Sequence, residues 1–322
     1  KFEHCIYLIM LLNKINIFSI WLIILGLSVV SIILIGGYTR ISDSGLSITE
    51  WLPVTGILYP ISETSWLIEF NKYKMIDEFI LVNSSMTLSE FKVIYFWEWF
   101  HRAFARLIGL IYIIPLIYLI ATKQIPKEHY SNILLIGVLL AIQAIVGWYM
   151  VKSGLTDRVD VSQYRLSLHL TIAFIILGLI FYSFLRFVCD HKINEDLVIQ
   201  SNLLLAIFIL IFFQILYGAF VSGTDSGLLY NTWPFYNGNV MPGDLIIQNR
   251  YLYSFFESKK FILFFHRTFA FILLFVIIFL NFIIFNKDSK HETLILIISF
   301  DAVFLIQGGI GVLMTFLNIP WY

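Results

Sequence analysis

Within a few turns of predicted helix, the stretch Glu98–Arg106 (EWFHRAFAR) brings together a carboxylate, an imidazole and two guanidinium groups. Glu98 and His101 are three residues apart and His101 and Ala105 four apart, so an acid, a histidine and a small residue share one helix face. An imidazole there can ligate a metal, the carboxylate can take a proton or stabilise positive charge, and the small residue lets a flat ligand approach the helix. The stretch lies inside an apolar run, about 91–121, long enough to cross a membrane. Ionisable groups at that depth cost roughly 2.5–3.5 kcal/mol each on insertion scales, which points to a functional site facing a cavity or a cofactor.

The elements that must hold this segment are membrane helices. The chain has 322 residues, of which 59% are hydrophobic and 13% charged, whereas soluble domains have about 45–50% and about 25%. Zero net charge speaks against a nucleic acid partner. Cys5 and Cys189 fall in no metal-ligand spacing and read as incidental thiols, and no cleavable leader is evident. Seven apolar runs, about 16–37, 91–121, 130–152, 163–187, 197–222, 259–286 and 292–316, predict an all-α polytopic bundle. Connections after the second, fourth and sixth runs are short and polar. Those after the first and fifth, about 38–90 and 223–258, are long and rich in Gly, Pro, Ser, Thr and Trp, so the elaborated loops share one side of the membrane. Lys and Arg counts do not orient the chain. The arginines at the long-loop side call instead for anionic groups to meet them.

The two long loops are copies. GGYTRISDSGL (36–46) matches GAFVSGTDSGL (218–228) at an offset of 182, and Trp51 matches Trp233 and Pro60 matches Pro242 at the same offset. His101-Arg102 matches His266-Arg267 at offset 165, and Gln143 with Gly147 matches Gln307 with Gly311 at 164. The expected organisation is two tandem four-helix repeats, 1–190 and 191–322. A copy of His169 would fall near position 333, past Tyr322, so the sequence is expected to stop short of an eighth helix carrying a fourth histidine. The DSGL stretches read as turn and helix-cap devices.

The histidines divide by place. His4, His129, His191 and His291 lie in the tail or short connections and read as solvated or headgroup groups. His101, His169 and His266 lie early in even-numbered spans, which all enter from the long-loop side, so the three imidazoles sit at similar depth. Three at matched depth, two of them related by the repeat, point to metal ligation. No short His/Cys/carboxylate cluster suggests zinc. Paired imidazoles from facing helices of an apolar bundle suit haem iron: His101 and His169 would clamp one haem, and His266 with the absent partner a second. Arg40, Arg102, Arg106, Arg165 and Arg267 are candidates for the haem-binding and propionate contacts. The repeat equivalents of Glu98 and Arg106 are Leu263 and Phe271. A haem that only passes electrons needs no acid beside it. A haem that is itself altered would use Glu98 to take a proton or stabilise charge at the macrocycle edge.

GGYTRISDSGLSITEWLPVTGILYP, EFKVIYFWEWFHRAFARLIG, QAIVGWYMVKSGL with a following LSLHL, then DSGL, TWPF, MPGD and FFHR, resemble the haem A synthase family from Gly36 to about Trp321. The likeness is to the mitochondrial and proteobacterial branch, without paired cysteines in the first long loop. The resemblance implies eight helices and oxidation of the C8 methyl of haem O to the formyl of haem A, by successive hydroxylation with oxygen from water. It implies haem O in the first half on His101 and His169 with Glu98 as the essential acid, and haem b in the second half on His266. It also implies a bacterial or mitochondrial inner membrane, haem O synthase as a partner, an external electron acceptor and room for a homo-oligomer. A dihaem cytochrome b-like electron carrier and a non-enzymatic haem-handling protein stay open as alternatives. Transport by a parallel-repeat protein is disfavoured, because Gly/Pro-broken helix pairs are lacking.

Overall fold

The computed structural model describes residues 16–157, 159–188, 198–285 and 291–317. Cys5, Cys189, His4 and His191 lie outside them. The chain divides into two compact units, residues 1–192 and 193–321. Seven helices are long and apolar enough to cross a membrane, and no strand occurs among the described residues.

In the first unit the membrane-length helices are α1 (Ile17–Ile41), α4 (Leu88–Ala121), α5 (Tyr130–Asp157) and α6 (Gln163–Val188). α1 packs on both α4 and α6, and α6 packs on α5. Phe18, Leu22 and Leu25 of α1 meet Ile108 and Tyr112 of α4, Ile133 and Ile136 of α5, and Ile172, Ile176 and Ile180 of α6 in one core. The polar tips of its aromatics find carbonyls, as apolar surroundings require. The Trp21 indole donates to Ile111 O at 2.8 Å and the Tyr112 hydroxyl to Ile133 O at 2.8 Å.

α4 begins at Leu88, before the apolar run itself, because Thr87 and Glu90 form a reciprocal capping box. The first long loop is partly helical, with α2 (Glu63–Tyr73) and α3 (Asp77–Leu81). Ser62 caps α2 by accepting from the Ser65 N–H at 3.1 Å. α2 buries Trp66, Phe70 and Tyr73 against Phe91, Ile94 and Tyr95 at the start of α4. This aromatic pad anchors the loop over the helix that carries Glu98 and His101.

His129 departs from its reading as a solvated group. It is 1% exposed and packs edge-on against Phe18 at 5.4 Å and Phe187 at 5.9 Å. The polar linker around it gives no hint of this, because the rings that bury it come from α1 and α6.

The second unit comprises α7 (Val198–Gly223), α8 (Tyr251–Glu257), α9 (Lys259–Phe285) and α10 (His291–Leu317). α7 and α9 form its main pairing, through Tyr217, Phe220 and Ile262 at one level and Ile207, Leu273 and Ile277 at another. α9 meets α10 through a polar clamp, the Asn281 amide donating to Asp301 Oδ2 at 2.7 Å.

The DSGL stretches close α1 and α7, and Asp225 also stands at the N-cap position of the 3-10 helix Ser226–Leu229, without a side-chain cap hydrogen bond. Asp43 (φ 45°) and Asp225 (φ 53°) take the left-handed conformation that ends helices. Around them the hydroxyls repeat. Ser42 Oγ donates to Tyr38 O at 2.8 Å and lies 2.6 Å from Ser44 Oγ. Thr224 Oγ1 donates to Phe220 O at 2.7 Å and lies 2.9 Å from Ser226 Oγ.

Candidate functional site

Glu98 is 3% exposed on α4. Its Oε2 accepts from the Ser47 hydroxyl at 2.6 Å and the Ile48 N–H at 2.8 Å, and its Oε1 from Arg102 Nη2 at 2.5 Å. Every recorded partner is a donor, an arrangement that suits the ionised form of the carboxylate. The first long loop supplies two of these donors, so the loop and the acid are built as one piece. A buried charge would be costly alone, and here it is paired and hydrogen-bonded.

Each of the three candidate histidines presses its ring edge on a glycine of a neighbouring helix. A Cβ added at Gly36 of α1 would lie 3.0 Å from His101 Cε1, one at Gly147 of α5 2.9 Å from His169 Cε1, and one at Gly218 of α7 3.2 Å from His266 Cε1. Only a residue without a side chain allows that approach. In all three contacts Cε1 is the nearest ring atom, so the rings are held in a common way. The three Nδ1 atoms are buried without a hydrogen-bond partner among the described residues, while each residue as a whole is half-buried. Ala105, expected beside a flat ligand, is exposed. Gln143 Nε2 donates to His169 O at 2.9 Å, tying α5 to α6 behind the ring. Gln214 Nε2 lies 3.4 Å from His266 Nε2, long for a hydrogen bond.

The arginines hold loops. Arg102 donates to Ile48 O at 3.1 Å and Glu50 O at 3.3 Å. Arg267, 7% exposed, donates to Tyr230 O at 3.5 Å and Thr232 O at 3.0 Å. At the offset of 182 these are the same two carbonyl positions. Arg106 donates to Pro53 O and Leu52 O, both at 3.0 Å, and its Nη1 is buried without a recorded partner. Its counterpart Phe271 stacks on Trp233 at 5.6 Å, beside an apolar cavity of about 280 Å³ that includes Phe264, Arg267 and Phe275 in its lining. Arg40 pairs with Asp43 at 2.7 Å and faces Asp160 at 3.8 Å. Arg165 bonds Ser153 Oγ and the Tyr149 hydroxyl and lies over the Tyr149 ring at 4.5 Å.

Sequence reading missed Ser47, Ile48, the glycine seats at Gly36 and Gly218 and the intramembrane acid Asp301. The glycines carried a signal, since they recur in the repeat. The Glu98 equivalent, Leu263, is 3% exposed and apolar, so the second unit has no counterpart of the acid at that position.

These residues can ligate a planar metal complex through imidazole, set an anion beside it and offer Arg106 Nη1 to an acidic substituent. The glycine seats, which hold the three rings in a common way, fit a haem, whose ligating imidazoles must be fixed in orientation. In the second unit the Gln214 amide would give way to the iron.

A heme A synthase of Pelagibacter ubique is 43% identical over 304 residues, 94% of this chain and 88% of that protein. One from Parvibaculum lavamentivorans is 42% identical over 258 residues, 80% and 75% of the two chains. One from Wolbachia pipientis of Culex pipiens is 40% identical over 310 residues, 94% and 89%. No solved structure is significantly similar. The model of the COX15-CtaA family, cytochrome oxidase assembly protein, matches residues 19–322, and the chain belongs to that family.

Proposed function

We propose that this protein is a haem A synthase, an integral membrane oxidoreductase that converts the C8 methyl of haem O to a formyl group. The net change, R–CH3 + H2O → R–CHO + 4H+ + 4e−, proceeds by successive hydroxylation with oxygen from water, and an external acceptor takes the electrons. His101 and His169 ligate the substrate iron, and Arg106 meets a propionate through its unpartnered Nη1. Arg40, Arg102 and Arg165 in the first unit and Arg267 in the second are further candidates for propionate contacts. His266 holds a haem b, which when bound supplies electron transfer. Haem O arrives from a haem O synthase, and the enzyme sits in the bacterial or mitochondrial inner membrane.

Glu98 carries this reading, because at its position in the second unit stands the apolar Leu263, and because the acid is fixed from three sides. Its anion, preorganised in a water-poor site, is aimed to stabilise positive charge developing at the macrocycle edge and to receive a proton lost there. Ser47 and Arg102 keep it from swinging away, so its orientation is settled before substrate binds. The relatives' name, heme A synthase, supports the product.

The test is haem extraction and chromatography of the full-length protein, wild type and Glu98→Ala, expressed in a host that makes haem O. Haem A or a hydroxylated haem in the wild type, with haem O accumulating in the variant, is the expected result. Haem b alone in both proteins would overturn the reading and leave an electron carrier.

A further inference from the structure

A second buried acid stands in the first long loop. Glu78 of α3 is 6% exposed, and its Oε2 is buried without a recorded hydrogen-bond partner. Its Oε1 lies 3.5 Å from Asn83 Nδ2, which donates at 2.8 Å to the hydroxyl of the fully buried Tyr73. The carboxylates of Glu98 on α4, Asp160 before α6 and Asp43 after α1 act electrostatically on Glu78 and disfavour its anion. The nearby cations are engaged, Arg102 with Glu98 and Arg40 with Asp43 and Asp160. α5, on which α3 packs, brings Lys152, which lies over Trp148, and Tyr149, whose hydroxyl takes Arg165.

A carboxylate in that place would be a buried anion among anions with one oxygen unsatisfied, a costly arrangement. A protonated acid fits. We propose that Glu78 is a positioning residue for Glu98: with its proton on, it lets the first long loop close on α4, and its ionisation drives the loop, with Ser47 and Ile48, away from Glu98. The proposal rests on the reading of Glu98 given above. The only chemical event is loss of the Glu78 proton to water, which breaks one O–H bond and moves no electrons from the haem.

The charge environment agrees with the geometry. Burial pushes the Glu78 carboxyl up to about 8, the carboxylates of Glu98, Asp160 and Asp43 adding to the rise and the Tyr73 hydroxyl opposing it. An acid that binds its proton more tightly folded than unfolded gives stability that is complete below its ordinary value and is lost as pH rises through about 8. The closed loop therefore belongs to neutral and acid pH.

The experiment follows haem A formation by the full-length protein in membranes from pH 6 to 9, for wild type and Glu78→Gln. Glutamine has the shape and neutrality of the protonated acid. Wild type is expected to lose about ten-fold of its rate between pH 7 and 9, one pH unit beyond the midpoint leaving about a tenth of the protonated form. Glu78→Gln should hold its rate within about two-fold. Superimposable pH profiles would overturn the proposal. Wild type that forms no haem A at any pH would instead overturn the synthase reading. In parallel, the thermal midpoint of the wild type is followed over the same range. A fall through pH 8 supports the proposal, and a flat midpoint overturns it even if the variant does not accumulate.

Discussion

Alanine substitution at the three glycine seats tests whether the imidazoles are ligands whose place is fixed by backbone. A relaxed carbon–carbon contact needs about 3.5 Å or more. The Cβ of Gly147→Ala would stand 2.9 Å from His169 Cε1, so the ring must retreat by roughly 0.6 Å. For Gly36→Ala the retreat is about 0.5 Å, and for Gly218→Ala about 0.3 Å. Metal–ligand distances tolerate about 0.2 Å, so the first two displacements exceed the limit clearly and the third narrowly. Overpacking costs about 1–3 kcal/mol, against roughly 1 kcal/mol gained from helix propensity. Gly109 and Gly178 are the controls, because an added Cβ there meets nothing within 4 Å. The assay is haem per protein by alkaline pyridine spectrum, with haem type resolved by chromatography, alongside the thermal midpoint. Gly147→Ala and Gly36→Ala should lose haem O and its products while keeping haem b. Gly218→Ala should lose haem b in part, and both controls should keep everything with an unchanged or raised midpoint. Equal haem retention across all five variants refutes the reasoning, since contact with the ring would then have no bearing on ligation.

Two further outcomes follow from the polar contacts. Arg102→Gln leaves the Glu98 anion without its cation and frees the loop carbonyls, so stability should fall by about 3–5 kcal/mol in chemical denaturation. Arg267→Gln, with no acid to strand at the Glu98 position, should cost clearly less, and equal losses would mean that the ion pair contributes nothing. Asn281→Leu removes the clamp to Asp301 and should cost about 0.6 kcal/mol, at most about 1.7, with haem content unchanged. A loss of haem from that variant would show that the clamp serves a site and not the helix pair.

The membrane helices were legible because apolar runs of span length have few alternatives in lipid. His101, His169 and His266 stood out because an imidazole is conspicuous in such a run. Features that depend on distant partners were hidden. His129 sits in a polar linker and is buried by Phe18 and Phe187, more than fifty residues away on either side. Ser47 looks like any loop serine until the chain folds back on Glu98. α2 and α3 are too short to stand out in the sequence, and α2 gains its apolar face only against Phe91 and Tyr95. Glu78 carried no signal at all, since its burial comes from tertiary packing.

The arginine contacts to the loops have an evolutionary consequence. Arg102 and Arg267 grip backbone carbonyls, at positions occupied by Ile48 and Glu50 in one unit and by Tyr230 and Thr232 in the other. A carbonyl is present whatever side chain its residue carries, so the grip is blind to identity. The tether itself asks only for a carbonyl at those four positions, whatever side chain stands there. Sequence similarity between the halves fades there although the hydrogen bonds coincide. A saturation library should accept more residues at Ile48, which packs on the aromatic pad, and at Tyr230, which packs on Tyr236, than at the arginines.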